Sequence, residues 1–449
     1  MGKAYPLIPK KVKRIETKYR KIVTDIPVPE SIEILEKLRK YEPVSMTGQP
    51  PVIWDRATGI NVYDKYGNMW LDFSSGVLVT NAGHGNEYVL NEIRKIIEKP
   101  LLHNYCFPSE IRAELVEKIA SLSPEPLKKV FLLTTGAEGI ECAIKLARTY
   151  GRKKNKKVII SFEGAFHGRT LGAQLIGGIP ELKEWIPNFD PDILIVPFPG
   201  NPRCKDKSFD LFLKILEEKG INGKEVCAVI SETYQGGSAS FFPVEYARDL
   251  RNWCDKNEVL LIFDEVQAGF GRTGTLWGFE NYKILPDIFC LGKGISSSLP
   301  ISAVVGRKEI MDQYQPGTMT STHTGNPVCC AAALGSIRYI VEKRLWENAE
   351  KMGRIFEKEL SKLKKYKCVG FICGKGLVWG LHIVKEGKEE PDPDKAFDIV
   401  GKCFEKGLLL FAPVGYKGAT IKINPPLIIN EEAIIEGVNV IEEAIKELS

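Results

Sequence analysis

Between residues 130 and 305 the chain alternates short, unbroken apolar runs with amphipathic helical stretches, and this alternation restricts the fold more than any other feature. Seven runs read as strands: Val130–Thr134, Val158–Phe162, Ile193–Pro197, Val226–Glu232, Val259–Asp264, Ile288–Leu291 and Ser302–Val305. Helical patterns run from Glu138 to Tyr150 and from Val244 to Lys256. A strand that is apolar on both faces must be covered on both, and helices joining successive strands do this. The expectation is an α/β fold with a mainly parallel sheet in a large domain spanning 101–337. Ligands of such sheets lie outside the carboxyl ends of the strands, and the residues of chemical character fall at those ends.

The flanks read differently. Residues 1–100 contain a hairpin pattern, Gly59–Asn61 to Tyr66–Trp70, around Lys65-Tyr-Gly67-Asn. Residues 338–449 mix long amphipathic helices with strands near Cys368–Ile372, Gly376–Ile383 and Thr420–Ile423. Together they are expected to build a smaller α+β domain from both chain ends. Pro391 to Pro393 read as loop, unsuited to helix or strand.

With 44% hydrophobic and 27% charged residues, the chain has the balance of a soluble globular protein. No window approaches the roughly 18–20 apolar residues that span a bilayer, and no apolar segment follows the basic start, so a cytoplasmic location is expected. The net charge of +5 is small for 449 residues, and no nucleic-acid-binding module is visible. The basic stretch Lys10–Lys21 reads as a solvated helix face or an arm, one that an anionic substrate could also meet. The 11 cysteines form no CxxC pair and no cluster with histidine, so they read as reduced thiols packed as small hydrophobes, with no metal site.

Four segments carry the chemistry. In Asp287–Gly294 (DIFCLGKG) an apolar strand ends at Lys293, set between glycines. It is either a surface lysine in a turn or an amine placed to form an imine with a carbonyl-bearing cofactor. In Leu261–Gln267 (LIFDEVQ) Asp264 either caps a turn or offers a buried carboxylate that keeps a cofactor's ring nitrogen protonated. Gln267 is positioned three residues on. In Thr134–Glu138 (TTGAE) a strand passes through small residues into a helix, and the amides of Gly136 and Ala137 suit a phosphate. In Glu163–Thr170 (EGAFHGRT) Phe166 suits stacking on a flat ring, His167 reads as a packed or capping histidine or a site residue, and Arg169 suits a carboxylate or braces the loop.

In this order the four segments resemble the class III (subgroup II) aminotransferases of pyridoxal-phosphate fold type I. The resemblance extends to Leu71–His84 (LDFSSGVLVTNAGH), Gly269–Gly274 (GFGRTG), Thr322–Pro327 (THTGNP) and Gly374–Leu377 (GKGL). It implies pyridoxal 5'-phosphate as cofactor, with Lys293 as the Schiff-base lysine and Asp264 as partner of the pyridine nitrogen. Gln267 then meets the phenolic oxygen, Gly136 and Ala137 the phosphate, and Phe166 the ring, with His167 and Glu232 nearby. Thr322 matches a threonine that reaches the phosphate of a neighbouring subunit, which implies a homodimer or larger assembly with shared sites.

Two positions depart from relatives that act on 4-aminobutyrate or ornithine. Those carry Gln-Gly-Glu where this chain has Gln235-Gly236-Gly237, and an arginine where it has Lys422, before Pro425-Pro426. Lysine does not replace arginine in bidentate carboxylate binding. Within the family, a donor with a masked acid, a 3-aminoacyl-CoA thioester such as 3-aminobutyryl-CoA, suits the change, with 2-oxoglutarate or pyruvate as acceptor. A 4-aminobutyrate or ornithine-type activity, or amino-acid racemisation on the same fold, are the alternatives.

Overall fold

In the computed structural model, which describes residues 3–449, all seven apolar runs join one sheet. The strands are β1 (Lys129–Leu133), β2 (Val158–Phe162), β3 (Ile193–Val196), β4 (Val226–Glu232), β5 (Leu260–Asp264), β6 (Ile288–Leu291) and β7 (Ser302–Gly306). Their spatial order is β1-β7-β6-β5-β4-β2-β3. Only β7 runs antiparallel to its neighbours, β6 and β1. Every residue of β2, β4, β5, β6 and β7 is buried, which is why these segments read as unbroken apolar runs.

One face of the sheet is covered by helix α1 (Gly136–Arg152), whose Ile140, Ala143, Leu146 and Ala147 recur at helical spacing. They pack with Ile159, Ala228, Ile230, Ile262, Cys290 and Val304 of the sheet. At roughly 1.5–3 kcal/mol for each large aliphatic side chain, this contact is a main source of the unit's stability.

The chain separates into two compact units. The larger comprises Glu87–Gly236 and Ser240–Arg344, and the smaller comprises the chain through Asn86, Gly237–Ala239 and Leu345–Ser449. The divisions therefore lie at Asn86/Glu87 and Arg344/Leu345, where the sequence suggested 100/101 and 337/338. Helix Glu87–Glu98 packs against helix Pro327–Glu342. A side chain at Gly335 would collide with the Tyr88 carbonyl, so glycine permits that close approach.

Within the smaller unit, Arg56–Thr58, Asn61–Tyr63 and Met69–Asp72 form an antiparallel meander, and Leu408–Leu409 adds a parallel strand from the C-terminal part. A second sheet pairs Val369–Lys375, Val378–Ile383 and Thr420–Ile423. One expectation is corrected. Pro393 is the first residue of helix Pro393–Glu405, where its fixed φ and missing N–H cost nothing. Of the two readings of Lys10–Lys21, the arm fits: the stretch is extended, with short strands at Ile15–Glu16 and Lys21–Ile22. Lys18 and Arg20 meet distant carboxylates, Glu432 and Glu436, each at 2.6 Å, and Arg14 lies 3.6 Å from the nearby Asp25. All 11 cysteines are free thiols.

Candidate active site

The carboxyl ends of β2, β4, β5 and β6 lie side by side, and Phe166, His167, Arg169, Glu232, Asp264, Gln267 and Lys293 sit at or just beyond them. Asp264 ends β5 and is the register partner of Glu232, the last residue of β4. Asp264 is buried and its Oδ2 lies 2.8 Å from Nδ1 of His167. Its Oδ1 accepts from the Val266 amide at 3.0 Å. His167 is therefore neither a loop cap nor inert packing: it holds the carboxylate. Its Nε2 is buried without a partner among the described residues.

Lys293 follows β6 by two residues, between Gly292 and Gly294, and has φ +41°. The left-handed region costs a non-glycine residue about 1–2 kcal/mol, a strain typical of working sites. Burial lowers the pKa of its amine, against the opposing pull of the Asp264 and Glu232 charges. A lowered pKa leaves more of the amine neutral and so nucleophilic and basic.

Thr135 caps α1. Its Oγ1 accepts from the Glu138 amide at 3.2 Å, and Glu138 Oε2 accepts from the Thr134 and Thr135 amides at 3.0 and 2.8 Å. Ser302 fastens the same turn by donating to the Thr135 carbonyl at 2.7 Å. This capping box leaves the amides of Gly136 and Ala137 without an acceptor among the described residues, at the positive end of a 17-residue helix. Such a pair is a built anion site. A Cβ at 136 would lie 3.0 Å from the Val266 side chain, so glycine eases the close packing of this turn.

Phe166 and Arg169 share the turn after β2. The Phe166 amide donates to Glu232 Oε2 at 3.0 Å, and the exposed Arg169 guanidinium lies 5.7 Å from the Phe166 ring centroid. Gln267 accepts from the Tyr234 hydroxyl at 3.3 Å and its amide packs on Gly236. Thr322 is exposed in a separate loop, apart from this set. Glu265, which the sequence did not single out, is buried and accepts from the amides of Gly278 and Phe279 at 2.7 and 2.9 Å and from the Thr233 hydroxyl. Adjacent strand residues face opposite sides of a sheet, so the Asp-Glu pair divides its work between site and scaffold.

Gly237 and Lys422 both belong to the smaller unit, Lys422 on its three-stranded sheet. Lys422 pairs across the sheet with Gly380. A Cβ on Gly380 would lie 2.6 Å from the Ser238 carbonyl, and His382 Nε2 lies 3.0 Å from that same oxygen. The segment Gly237–Ala239 therefore rests on the face that carries Lys422. Gly237 itself abuts Gly415, whose Cβ would lie 2.4 Å from the Gly237 carbonyl.

The residues of the larger unit fit pyridoxal phosphate. Two unengaged amides at a helix N-terminus suit its phosphate, a buried carboxylate suits its ring nitrogen, and an amine of lowered pKa suits its aldehyde. Residues 44–445 match the family described as aminotransferase class-III. A 4-aminobutyrate aminotransferase of Mycobacterium leprae is 33% identical over 438 residues, covering 94% of this chain and 97% of its own. A leucine/methionine racemase of Thermococcus litoralis is 32% identical, covering 93% and 96%. The crystal structure of a transaminase from the marine bacterium Virgibacillus superposes with a TM-score of 0.84 at 28% identity, covering 93% and 99%.

Proposed function

The chain belongs to the class-III aminotransferases, which depend on pyridoxal phosphate, and we propose that it takes the amino group of a β- or ω-amino donor whose acid is masked. The proposed donor class is the 3-aminoacyl-CoA thioesters, such as 3-aminobutyryl-CoA, with a keto acid such as 2-oxoglutarate or pyruvate as acceptor. The observation that carries this reading is that Ser238, the neighbour of Gly237, rests on the sheet face that carries Lys422. Two departures from the family pattern in one place point to one altered recognition site. Lys422 presents a point charge, sufficient for the carboxylate of a keto acid but without the fork that arginine offers. Within the N-terminal arm, Lys18 and Arg20 are matched by Glu432 and Glu436, which leaves the exposed Lys11 and Lys13 as the cations that could meet the CoA phosphates.

When bound, pyridoxal phosphate supplies an aldehyde that accepts the amino group and a ring that withdraws electrons from the bond being broken. The chain's residues do the rest. Gly136 and Ala137 would hold the phosphate, Phe166 would lie on the ring, and Gln267 would meet its phenolic oxygen. Asp264, steadied by His167, would keep the ring nitrogen protonated. Lys293 Nζ would take the proton from the donor carbon and deliver it to the cofactor carbon that had been the aldehyde.

The dimer reading is supported by the exposed Leu101, Leu102, Tyr105 and Phe107, which lie beside the Thr322 loop. Tyr105 Oη is 3.2 Å from Thr320 Oγ1, and Asn326 Nδ2 donates to the Leu102 carbonyl at 2.8 Å.

A donor screen tests the proposal. The loaded protein is offered 3-aminobutyryl-CoA, 4-aminobutyrate, ornithine, β-alanine or L-alanine without a keto acid, and loss of the cofactor's visible absorbance is followed. The thioester is expected to react fastest. Preference for 4-aminobutyrate, the activity that names the 33%-identical relative, would overturn the masked-acid reading. Interconversion of D- and L-amino acids without a keto acid would favour racemisation.

A further inference from the structure

Glu232 and Asp264 are register partners on adjacent parallel strands, and they grip consecutive residues of the turn after β2. Asp264 holds the His167 ring, and Glu232 Oε2 accepts from the Phe166 amide at 3.0 Å. The second oxygen of Glu232, Oε1, accepts from the Gly236 amide at 2.8 Å. One buried carboxylate thus ties two turns together through both of its oxygens, and one of those turns carries Phe166. The titratable groups around it are Asp264, His167, Lys293 and Tyr234.

We infer that Glu232 is a positioning residue whose ionised carboxylate fixes Phe166 over the cofactor, and whose proton is released when the cofactor's ring nitrogen meets Asp264. The inference rests on the reading of Asp264 and Phe166 as cofactor contacts. Its physical basis is the pairing of two buried acids, which cannot both ionise cheaply. Burial pushes Glu232 up to about 7. The Asp264 charge adds to the rise, while His167 and the Phe166 and Gly236 amides oppose it. A cationic ring nitrogen against Asp264 offsets that neighbouring charge, so the Glu232 proton passes to solvent. Both carboxylate oxygens then accept as anions, and hydrogen bonds to charged groups are the stronger kind.

Proton release on binding makes affinity rise with pH across the region where Glu232 titrates. Each unit by which the cofactor lowers the Glu232 pKa gives about a tenfold gain. The test is the dissociation constant of pyridoxamine 5'-phosphate, which cannot bond covalently to Lys293, for wild-type apoprotein and Glu232→Gln. Between about pH 6 and about pH 8 the wild-type constant should fall about tenfold more than that of the variant. The ligand's own titrations are common to both proteins and cancel. Parallel profiles with measurable binding would overturn the Glu232 inference and leave the cofactor site intact. Absence of binding by wild type at any pH would overturn the site reading itself. Should E232Q fold poorly, Glu232→Asp replaces it: the acid remains but is drawn back from both amides. It should keep the pH step while binding more weakly, and loss of the step with affinity unchanged would count against the inference.

Discussion

Gly168→Ala should damage the cofactor site from outside it. Gly168 has φ +136°, and a Cβ there would lie 2.7 Å from the Cβ of Ala137 and 3.1 Å from its Cα. Carbon atoms in ordinary contact sit about 3.5–4.0 Å apart, so the first turn of α1 must shift by about 1 Å. Overpacking of this size costs about 1–3 kcal/mol, and the unfavourable φ adds about 1–2 kcal/mol. The displaced Ala137 amide would lose a hydrogen bond to a charged group, worth about 1.5–3 kcal/mol, or roughly 10–150-fold in cofactor affinity. Gly220→Ala is the control: its φ is +65° but nothing lies within 4 Å. It should cost about 1 kcal/mol of stability and leave cofactor affinity alone. Urea melts and equilibrium ultrafiltration with pyridoxal phosphate give the two quantities. If G168A binds cofactor as tightly as the parent, the assignment of the Ala137 amide to the phosphate is wrong.

Two further outcomes follow from the geometry. Burial raises the Glu265 carboxyl to about 7. The folded state therefore holds its proton where the unfolded chain has released it, and the contribution to stability falls as pH climbs from about 4.5 to about 7. Wild-type apoprotein should lose on the order of 3 kcal/mol more than Glu265→Gln between about pH 5 and about pH 8, and equal losses in denaturant titrations would refute this. Arg20→Ala removes a largely buried pair with Glu436 and a 2.7 Å bond to the Lys406 carbonyl. It should cost about 1–3 kcal/mol without altering the KM for a thioester donor, and a raised KM would bring Arg20 into substrate binding.

The strands of the central sheet were legible because five of the seven, β2, β4, β5, β6 and β7, are buried on both faces and so carry unbroken apolar runs. The direction of β7 was not, since an antiparallel strand buried on both sides has the same composition as a parallel one. The N-terminal stretch left helix face and arm open because its order depends on partners more than 400 residues away, such as Glu432 and Glu436, which no local period reveals. Pro393 misled because proline marks helix starts as well as loops. At the site, Lys293, Asp264 and the Gly136–Ala137 turn stood out through residue type at strand ends. The bond from His167 to Asp264, and the bridging by Glu232 of Phe166 and Gly236, depend on register across three strands and emerge only in the folded chain. Glu265 had no distinguishing signal beyond its place next to Asp264.

The most direct test of the cofactor assignment is chemical. Loaded protein is reduced with borohydride, digested, and its peptides are weighed. The account predicts the reduced pyridoxyl phosphate mass on Lys293 alone, and none in Lys293→Ala. A label on another lysine, or undiminished labelling of the variant, would contradict it.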